Sequence, residues 1–145
     1  MTEKFIIVAD DDEDDKLLLR SAFTDIGCDS KIVFVSNGAE LLDFLEKNYD
    51  ANNPDQKPCV ILLDLNMEIK SGKEVLKDLK HDDNLKEIPV LVYSTSQAEK
   101  DKQDCYALGA DTYIVKPFHY SVLLKVVEDI RFSWLLSDKK SLADN

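Results

Sequence analysis

The sequence predicts an α/β fold built on a parallel β-sheet, and three observations lead to this prediction. Five short apolar runs alternate with five segments of helical periodicity, an alternation typical of βα units. The run at 60–63 is wholly apolar, as expected of a strand that is buried on both faces of a parallel sheet. The run at 5–9 leads directly into six consecutive acids at 10–15, which places negative charge at the tip of a buried strand.

The five predicted strands are short and rich in apolar residues. They cover residues 5–9, 31–35, 60–63, 90–93 and 113–115. A proline directly precedes the fourth strand, a position that proline tolerates. The polar stretch at 49–58 contains two prolines and predicts a surface loop or an insertion before the third strand.

Each predicted helix is placed by its start and stop signals, and four of the five carry a clear apolar face. The helices begin near Asp14, Gly38, Gly72, Ala98 and Ser121, and a glycine follows the first and the fourth. The fifth is expected to extend to about residue 136. The residues predicted to face the core from helices one, two, three and five are Leu18, Leu19, Ala22, Phe23, Ile26, Leu41, Leu42, Leu45, Val75, Leu76, Leu79, Leu123, Val127, Ile130 and Trp134.

Composition and charge narrow the classes of partner. The 145 residues carry a net charge of −11, from 29 acids and 18 bases, which argues against nucleic acid and anionic membranes as direct partners. The three scattered cysteines predict reduced thiols in a cytoplasmic protein, and no zinc site. No signal peptide or membrane span is expected. We predict one domain over 1–145, with its core at about 5–136 and a frayed tail at 137–145.

The residues that directly follow four of the strands carry the chemistry. They are Asp10, Asp11, Asp64, Ser94, Thr95, Lys116, Pro117 and Phe118. Each alone is more typical of a cap, a turn or a surface position. Because ligands of open α/β sheets bind at the carboxyl ends of the strands, we expect these side chains to converge. Clustered carboxylates favour Mg²⁺, and an aspartate can attack a phosphoryl group. A lysine and a hydroxyl would stabilise the transferring oxygens.

Four motifs at these strand ends resemble a known family. They are Val8-Ala9-Asp10-Asp11-Asp12, Leu62-Leu63-Asp64-Leu65-Asn66-Met67 with Gly72 further on, Ser94, and Tyr113-Ile114-Val115-Lys116-Pro117-Phe118. With this set, residues 5 to about 135 strongly resemble the receiver domain of two-component response regulators. The resemblance implies a flavodoxin-like (βα)5 three-layer sandwich with a parallel sheet of strand order 2-1-3-4-5.

The resemblance also implies which residues bind phosphate and metal. Asp64 would accept the phosphoryl group. Asp11 would bind Mg²⁺ (or Mn²⁺) directly, and Asp10 would act mainly through water. Asp64 and the backbone carbonyl of Asn66 would be further metal ligands.

The remaining family residues would complete catalysis and the switch. Ser94 and Lys116 would join Asp64 in the catalytic set by contacting the phosphoryl oxygens. Ser94, Thr95 and Tyr113 would form the switch, with the tyrosine turning inward when Ser94 moves. A cis peptide bond would precede Pro117.

The implied function is that of a stand-alone receiver in a phosphorelay, with no output domain. It would take its phosphoryl group from a sensor histidine kinase or a phosphotransfer protein and would signal by altered contacts with a downstream protein. It would be no enzyme beyond its own phosphorylation and dephosphorylation. Arg131, Phe132 and Trp134 resemble the C-terminal extension of small regulators paired with bacterial phytochrome-like histidine kinases. Homodimerisation through helix 4, strand 5 and helix 5 is a hypothesis, and a monomeric mass by light scattering, with and without a phosphoryl mimic, would contradict it.

Some residues depart from the family pattern, and others have no role in it. Glu68 stands where receivers commonly have proline, so it either adds charge that tunes the site or is a plain surface residue. The loop at 49–58 is longer than in a minimal receiver, and a tolerated insertion is favoured. For Asp14 and Asp15 we favour a role at the start of the first helix, where acids suit the helix dipole.

Three other functional classes stay open at this point. A phosphatase of the haloacid dehalogenase type would need an acid where Asn66 stands. A pseudo-receiver would bind partners without phosphorylation. A flavodoxin would bind FMN phosphate, which the acidic tip of the first strand would repel. An EF-hand is excluded, since Asp15 and Ser21 occupy the positions of its glycine and its bidentate glutamate.

Overall fold

The computed structural model describes residues 4–28, 31–49 and 58–136, and it contains one five-stranded parallel sheet. The strands are β1 (Ile6–Ala9), β2 (Ile32–Val35), β3 (Val60–Leu63), β4 (Val90–Ser94) and β5 (Thr112–Val115). Their order in the sheet is β2-β1-β3-β4-β5, and every neighbouring pair is parallel. The predicted fold class and strand order are therefore confirmed.

Five α-helices follow the strands in alternation. They are α1 (Glu13–Asp25), α2 (Gly38–Asn48), α3 (Gly72–His81), α4 (Glu99–Ala107) and α5 (Tyr120–Ile130), and a π-helical turn, Arg131–Leu135, continues α5. The first three helices begin at side-chain caps, because Asp12, Asn37 and Ser71 each accept a hydrogen bond from the amide three residues on. The predicted helices are present, with ends displaced by a few residues.

Two apolar cores sandwich the sheet. On one face, the helices α2, α3 and α4 cover alternate strand residues such as Ile7 and Ala9. On the other face, α1 and α5 cover the intervening residues such as Ile6 and Val8. This alternation follows from the two-residue period of a strand. The central strands β1, β3 and β4 are buried along their whole length, so the residues at their carboxyl ends are attached to the packed centre of the fold.

Most of the predicted core residues are buried. Ile26 and Leu42 are half-buried against the two cores, and two further exceptions are informative. Leu18 is exposed, because α1 directs Leu19, Ala22 and Phe23 to the sheet and leaves the neighbouring leucine outside. Trp134 is half-buried against the α1/α5 core, because the backbone after Ile130 adopts the wider π-helical turn. The predicted tail at 137–145 and residues 50–57 of the predicted loop lie outside the described residues.

The cysteines and the helices of the described residues can be compared with two further predictions. All three cysteines are free thiols, in agreement with their scattered positions. Among the described helices, none combines the length and the apolar character that a bilayer span requires. The limits of the domain at 1–145 stay a prediction.

Candidate functional site

The backbone ladder carries three charged residues to one edge of the sheet. The amide of Asp10 donates to a carbonyl of β2 at 3.1 Å, and the amide of Asp64 donates to a carbonyl of β1 at 3.0 Å. The amide of Lys116 donates to a carbonyl of β4 at 2.8 Å. Each bond extends the parallel pairing one residue past the end of a strand. The site residues are therefore held by the same hydrogen bonds that hold the sheet.

Three carboxylates meet at this edge. Asp10 is 1% exposed and Asp64 is 5% exposed, whereas Asp11 is exposed. One oxygen from each of the three carboxylates lies within 4.8 Å of the others. Like charges this close and this buried repel one another, so the cluster requires a compensating cation.

Lys116 supplies part of that compensation. Its Nζ lies 2.6 Å from Asp15 Oδ2, 2.8 Å from Asp10 Oδ2 and 3.6 Å from Asp64 Oδ2. The lysine is 8% exposed. Burial alone would lower the pKa of Lys116, but hydrogen bonds to Asp10 and Asp15 outweigh it and raise that pKa above its ordinary value. The ammonium group is therefore charged throughout the physiological pH range.

Asp64 has the most perturbed carboxyl group of the site. Burial raises the pKa of Asp64 from 3.8 to about 6. The charge of Lys116 opposes this shift, and the charge of Asp10 adds to it. The amide of Asn66 lies 3.4 Å from Asp64 Oδ1 and also favours the ionised form. A buried, perturbed carboxylate beside a lysine is a typical mark of a functional site.

The hydroxyl and the aromatic residue of the predicted switch are linked through Ser96. Ser94 is fully buried, and its Oγ accepts a hydrogen bond from the amide of Ser96 at 3.1 Å. Tyr113 donates its phenol hydrogen to the carbonyl of Ser96 at 2.8 Å. Thr95, which lies between Ser94 and Ser96 in the chain, is exposed. In this arrangement the half-buried Tyr113 is tied to the β4–α4 loop.

Ser96 also connects this loop to two helices. Its Oγ donates to Asp101 Oδ2 at 2.5 Å. Lys73 on α3 donates to the same aspartate at 2.7 Å and to Asp104 at 3.0 Å. The β4–α4 loop is therefore braced against both α3 and α4, a network that the sequence analysis did not anticipate.

The prediction of a cis peptide bond before Pro117 is wrong, because no described peptide bond is cis. The trans form is intrinsically preferred by about 0.5–1 kcal/mol even before proline. In the trans arrangement Lys116 already reaches all three of its carboxylates. Glu68, the other departure at the site, is exposed on the β3–α3 loop.

The donor set fits a hard divalent cation. Asp10, Asp11 and Asp64 offer only oxygen atoms, which suit Mg²⁺ or Mn²⁺ far better than zinc or copper. Within the described ranges, the Asp11 side chain makes no hydrogen bond or ion pair with the protein, so it is available to a metal. Asn66 lies beside Asp64 as predicted, while the part played by its carbonyl stays a prediction.

Comparison with known proteins gives the family. Residues 6–128 match the model for the response regulator receiver domain. The chain belongs to the response regulator receiver family. Rcp1, a response regulator from Synechocystis sp., is 33% identical to this receiver over 91% of the chain and 89% of Rcp1.

Solved structures agree with this assignment. The phosphorylated cyanobacterial phytochrome response regulator RcpA superposes on this receiver with a TM-score of 0.82 and 35% identity, over 94% of this chain and 97% of RcpA. The Mn²⁺-bound form of Rcp1 gives a TM-score of 0.78 and 32% identity, over 93% and 96%. The haloacid dehalogenase and flavodoxin alternatives are therefore wrong, and the protein is a receiver of two-component signalling.

One residue at the site whose contact the sequence analysis did not predict is Asp15. The sequence analysis favoured a role for Asp15 at the start of the first helix, and Asp15 does lie in the first turn of α1. Its carboxylate, however, makes the shortest ion pair of Lys116. No pattern in the sequence separates Asp15 from Glu13 or Asp14, because any acid in a first turn suits the helix dipole.

Proposed function

We propose that this receiver takes up a phosphoryl group on Asp64 and that Asp10, Asp11, Asp64 and Lys116 form the machinery of this transfer. The observation that carries the proposal is the placement of Asp64. It lies buried between two further carboxylates that suit a divalent cation and a lysine whose ammonium is fixed by ion pairs.

The residues of the chain have distinct parts in this step. One Asp64 oxygen attacks the phosphorus of the donor, a bond to phosphorus forms, and the bond to the leaving group breaks with its electron pair going to that group. Lys116 approaches the transferred oxygens and offsets the added negative charge. Ser94 donates its hydroxyl hydrogen to one of those oxygens.

Asp10, Asp11, Asp64 and the carbonyl of Asn66 are the proposed ligands of Mg²⁺ (or Mn²⁺). When bound, the cation neutralises charge on the phosphoryl oxygens. Two findings support this assignment: the oxygen-only cluster in this chain and the Mn²⁺-bound structure of the relative Rcp1.

The proposed donor is a sensor histidine kinase or a phosphotransfer protein. Several solved structures similar to this chain are phytochrome or bacteriophytochrome response regulators, which favours a phytochrome-like histidine kinase as the donor. Phosphorylation replaces the single negative charge of the Asp64 carboxylate by a phosphoryl group that carries about −1.5 to −2 units, so it adds roughly one unit of negative charge. We propose that Ser94 then moves, that the loop held by Ser96 and Tyr113 rearranges, and that contacts with a downstream protein change. A homodimer through α4, β5 and α5 and a cytoplasmic location stay predictions.

Phosphoryl uptake is tested with a small donor. Incubation of the purified chain with acetyl phosphate and Mg²⁺ is expected to add about 80 Da, the mass of one phosphoryl group, in intact-mass spectrometry. The matched reaction with EDTA in place of Mg²⁺ should add no mass. An unmodified protein in the presence of Mg²⁺ would contradict the proposal and favour the pseudo-receiver.

Gly72→Ala is expected to impair both the fold and phosphoryl uptake. A Cβ at Gly72 would lie 2.2 Å from the carbonyl oxygen of Asp64 and 2.6 Å from the Cα of Leu65, so the loop that carries Asp64 must shift. We expect the free energy of unfolding to fall by about 1–3 kcal/mol. Uptake from acetyl phosphate should slow by about tenfold or more, because displaced reacting groups lose their alignment.

Gly27→Ala is the matched control for this substitution. Gly27 has a φ of +79° with no atom within 4 Å of an added Cβ, and it lies at the end of α1 away from the site residues. Its replacement should cost about 1–2 kcal/mol of backbone strain and leave the uptake rate unchanged. Equal uptake rates in the two variants would show that Gly72 does not position Asp64.

A further inference from the structure

The ammonium group of Lys116 lies closer to α1 than to the phosphoacceptor. Its distance to Asp15 Oδ2 is 2.6 Å, whereas its distance to Asp64 Oδ2 is 3.6 Å. A separation of 2.6 Å is that of a strong, charge-assisted hydrogen bond, and 3.6 Å is too long for a hydrogen bond. The ammonium group is therefore hydrogen-bonded to Asp15 of α1 and, at 2.8 Å, to Asp10, but not to Asp64.

The backbone at the start of α1 fixes Asp15 in this position. Asp10 Oδ1 accepts the amide hydrogen of Asp12 at 2.9 Å. Asp12 Oδ1 in turn accepts the amide hydrogen of Asp15 at 3.0 Å. The side chain of Asp15 is 28% exposed, so water screens its ion pair only in part. A chain of hydrogen bonds thus connects Asp10 to Asp15, the two residues that accept hydrogen bonds from Lys116.

The neighbouring acids do not share this contact. Glu13 pairs with Lys16 at 2.8 Å, and Asp14 is exposed. Within the described ranges, the carboxylates that pair with Lys116 are those of Asp10, Asp15 and Asp64. Of these, Asp15 is the one outside the oxygen cluster suited to a metal, so its role is separable from metal binding.

We propose that Asp15 is a positioning residue that holds Lys116 on the α1 side of the site and thereby limits the phosphorylated form of Asp64. The inference rests on the proposed function, since it assigns a control of that same transfer. In the phosphorylated protein, Lys116 must approach the phosphoryl oxygens to offset their charge. Asp15 competes for the same ammonium group, so Lys116 stabilises the phosphorylated form less than it would without Asp15. Without Asp15, the lysine moves toward Asp64 and the phosphorylated form persists longer.

The test compares four proteins: wild type, Asp15→Asn, Asp15→Glu and Asp14→Asn. Each is phosphorylated with acetyl phosphate and Mg²⁺, the donor is removed, and the modified fraction is followed by intact-mass spectrometry. Asp14→Asn removes one charge from the same helical turn without touching Lys116. Asp15→Glu keeps the charge and reaches the same ammonium.

The expected result is specific to the ion pair. Asp15→Asn should lengthen the half-life of the phosphorylated form by about three- to tenfold, the effect of one charge-assisted hydrogen bond. It should also raise the modified fraction at subsaturating donor. Asp14→Asn and Asp15→Glu should stay within about twofold of the wild type, and their melting temperatures verify that all variants are folded. Asp15→Ser replaces Asp15→Asn if the latter does not fold.

Several outcomes would overturn the inference. One is an Asp15→Asn half-life that equals that of Asp14→Asn or is shorter than that of the wild type. Another is an equal change in Asp15→Asn and Asp15→Glu, which would indicate a general disturbance of the helix start. If the wild type takes up the phosphoryl group and the variants match it, the positioning role alone fails. If the wild type takes up none, the proposed function fails together with it.

Discussion

Asp64→Asn is expected to take up no phosphoryl group and, without metal, to be more stable than the wild type at pH 7. The missing adduct follows from the loss of the nucleophilic oxygen. The added stability follows from burial: the Asp64 carboxylate is 5% exposed, and the pKa of about 6 shows that its ionised form is disfavoured in the fold. A neutral amide of the same shape avoids this penalty, which amounts to about 3 kcal/mol or less.

The gain in stability should depend on pH. Because the pKa of Asp64 is higher in the folded protein than its ordinary 3.8, the folded state binds the proton more tightly than the unfolded chain. The stability that this group contributes is present below about pH 4 and is lost as the pH rises through 6. The advantage of Asp64→Asn over the wild type should therefore be larger at pH 7 than at pH 5.

Urea denaturation in EDTA at both pH values measures this effect. Asp14→Asn, which removes an exposed carboxylate, is the control and should change the free energy of unfolding by no more than about 0.5 kcal/mol. Added Mg²⁺ should stabilise the wild type and have a much smaller effect on Asp64→Asn, which lacks one proposed ligand. An Asp64→Asn variant less stable than the wild type at pH 7 would mean that the ion pair with Lys116 outweighs burial.

Lys116→Met is expected to be the most destabilising substitution at the site. It leaves the carboxylates of Asp10, Asp15 and Asp64 without the ammonium group that now lies 2.6–3.6 Å from them. Removing one partner of a buried ion pair typically costs about 3–5 kcal/mol. We expect a loss of this size in the free energy of unfolding at pH 7 in EDTA.

Mg²⁺ should restore more stability to Lys116→Met than to the wild type. A divalent cation can take over the neutralisation of the carboxylates, and any ligand that binds only the folded state stabilises it by mass action. Thermal unfolding with EDTA and with a series of Mg²⁺ concentrations measures the difference. Lys100→Met, whose side chain is 83% exposed and pairs with Asp104 on the surface, is the control and should lose about 0.5 kcal/mol or less. If Lys116→Met were as stable as Lys100→Met, the ion pairs of Lys116 would not stabilise the folded protein.

The sequence predicted the strand-end residues well because each signal is local. A buried strand shows itself as an unbroken apolar run, and its end is the first polar residue after the run. Asp10, Asp64 and Lys116 stand at such ends, and the sheet order then brings them together. Alternation of strands and helices also leaves few topologies, because the crossovers are right-handed. For these residues, the sequence pattern was sufficient to predict that their side chains lie close together.

Where several orientations were equally compatible with the pattern, sequence reasoning was less successful. The adjacent Leu18 and Leu19 both fit a helical periodicity, and only the angle at which α1 meets the sheet decides which one is buried. The last turns after Ile130 are helical in pattern, but the structure widens them into a π-helical turn and leaves Trp134 half-buried.

The ion pair of Lys116 with Asp15 was decided by tertiary structure alone. Asp15 and Lys116 are 101 positions apart in the chain, and their contact depends on where the first turn of α1 lies relative to the end of β5. The sequence by itself determined the α/β fold, the family, and the residues that stand at the strand ends, since these follow from periodicity and adjacency. Only packing decided that Asp15 joins Asp10 as a partner of the lysine while the four other acids of the run do not. Coulomb interactions depend on distance and burial, and the order of like charges in a sequence specifies neither.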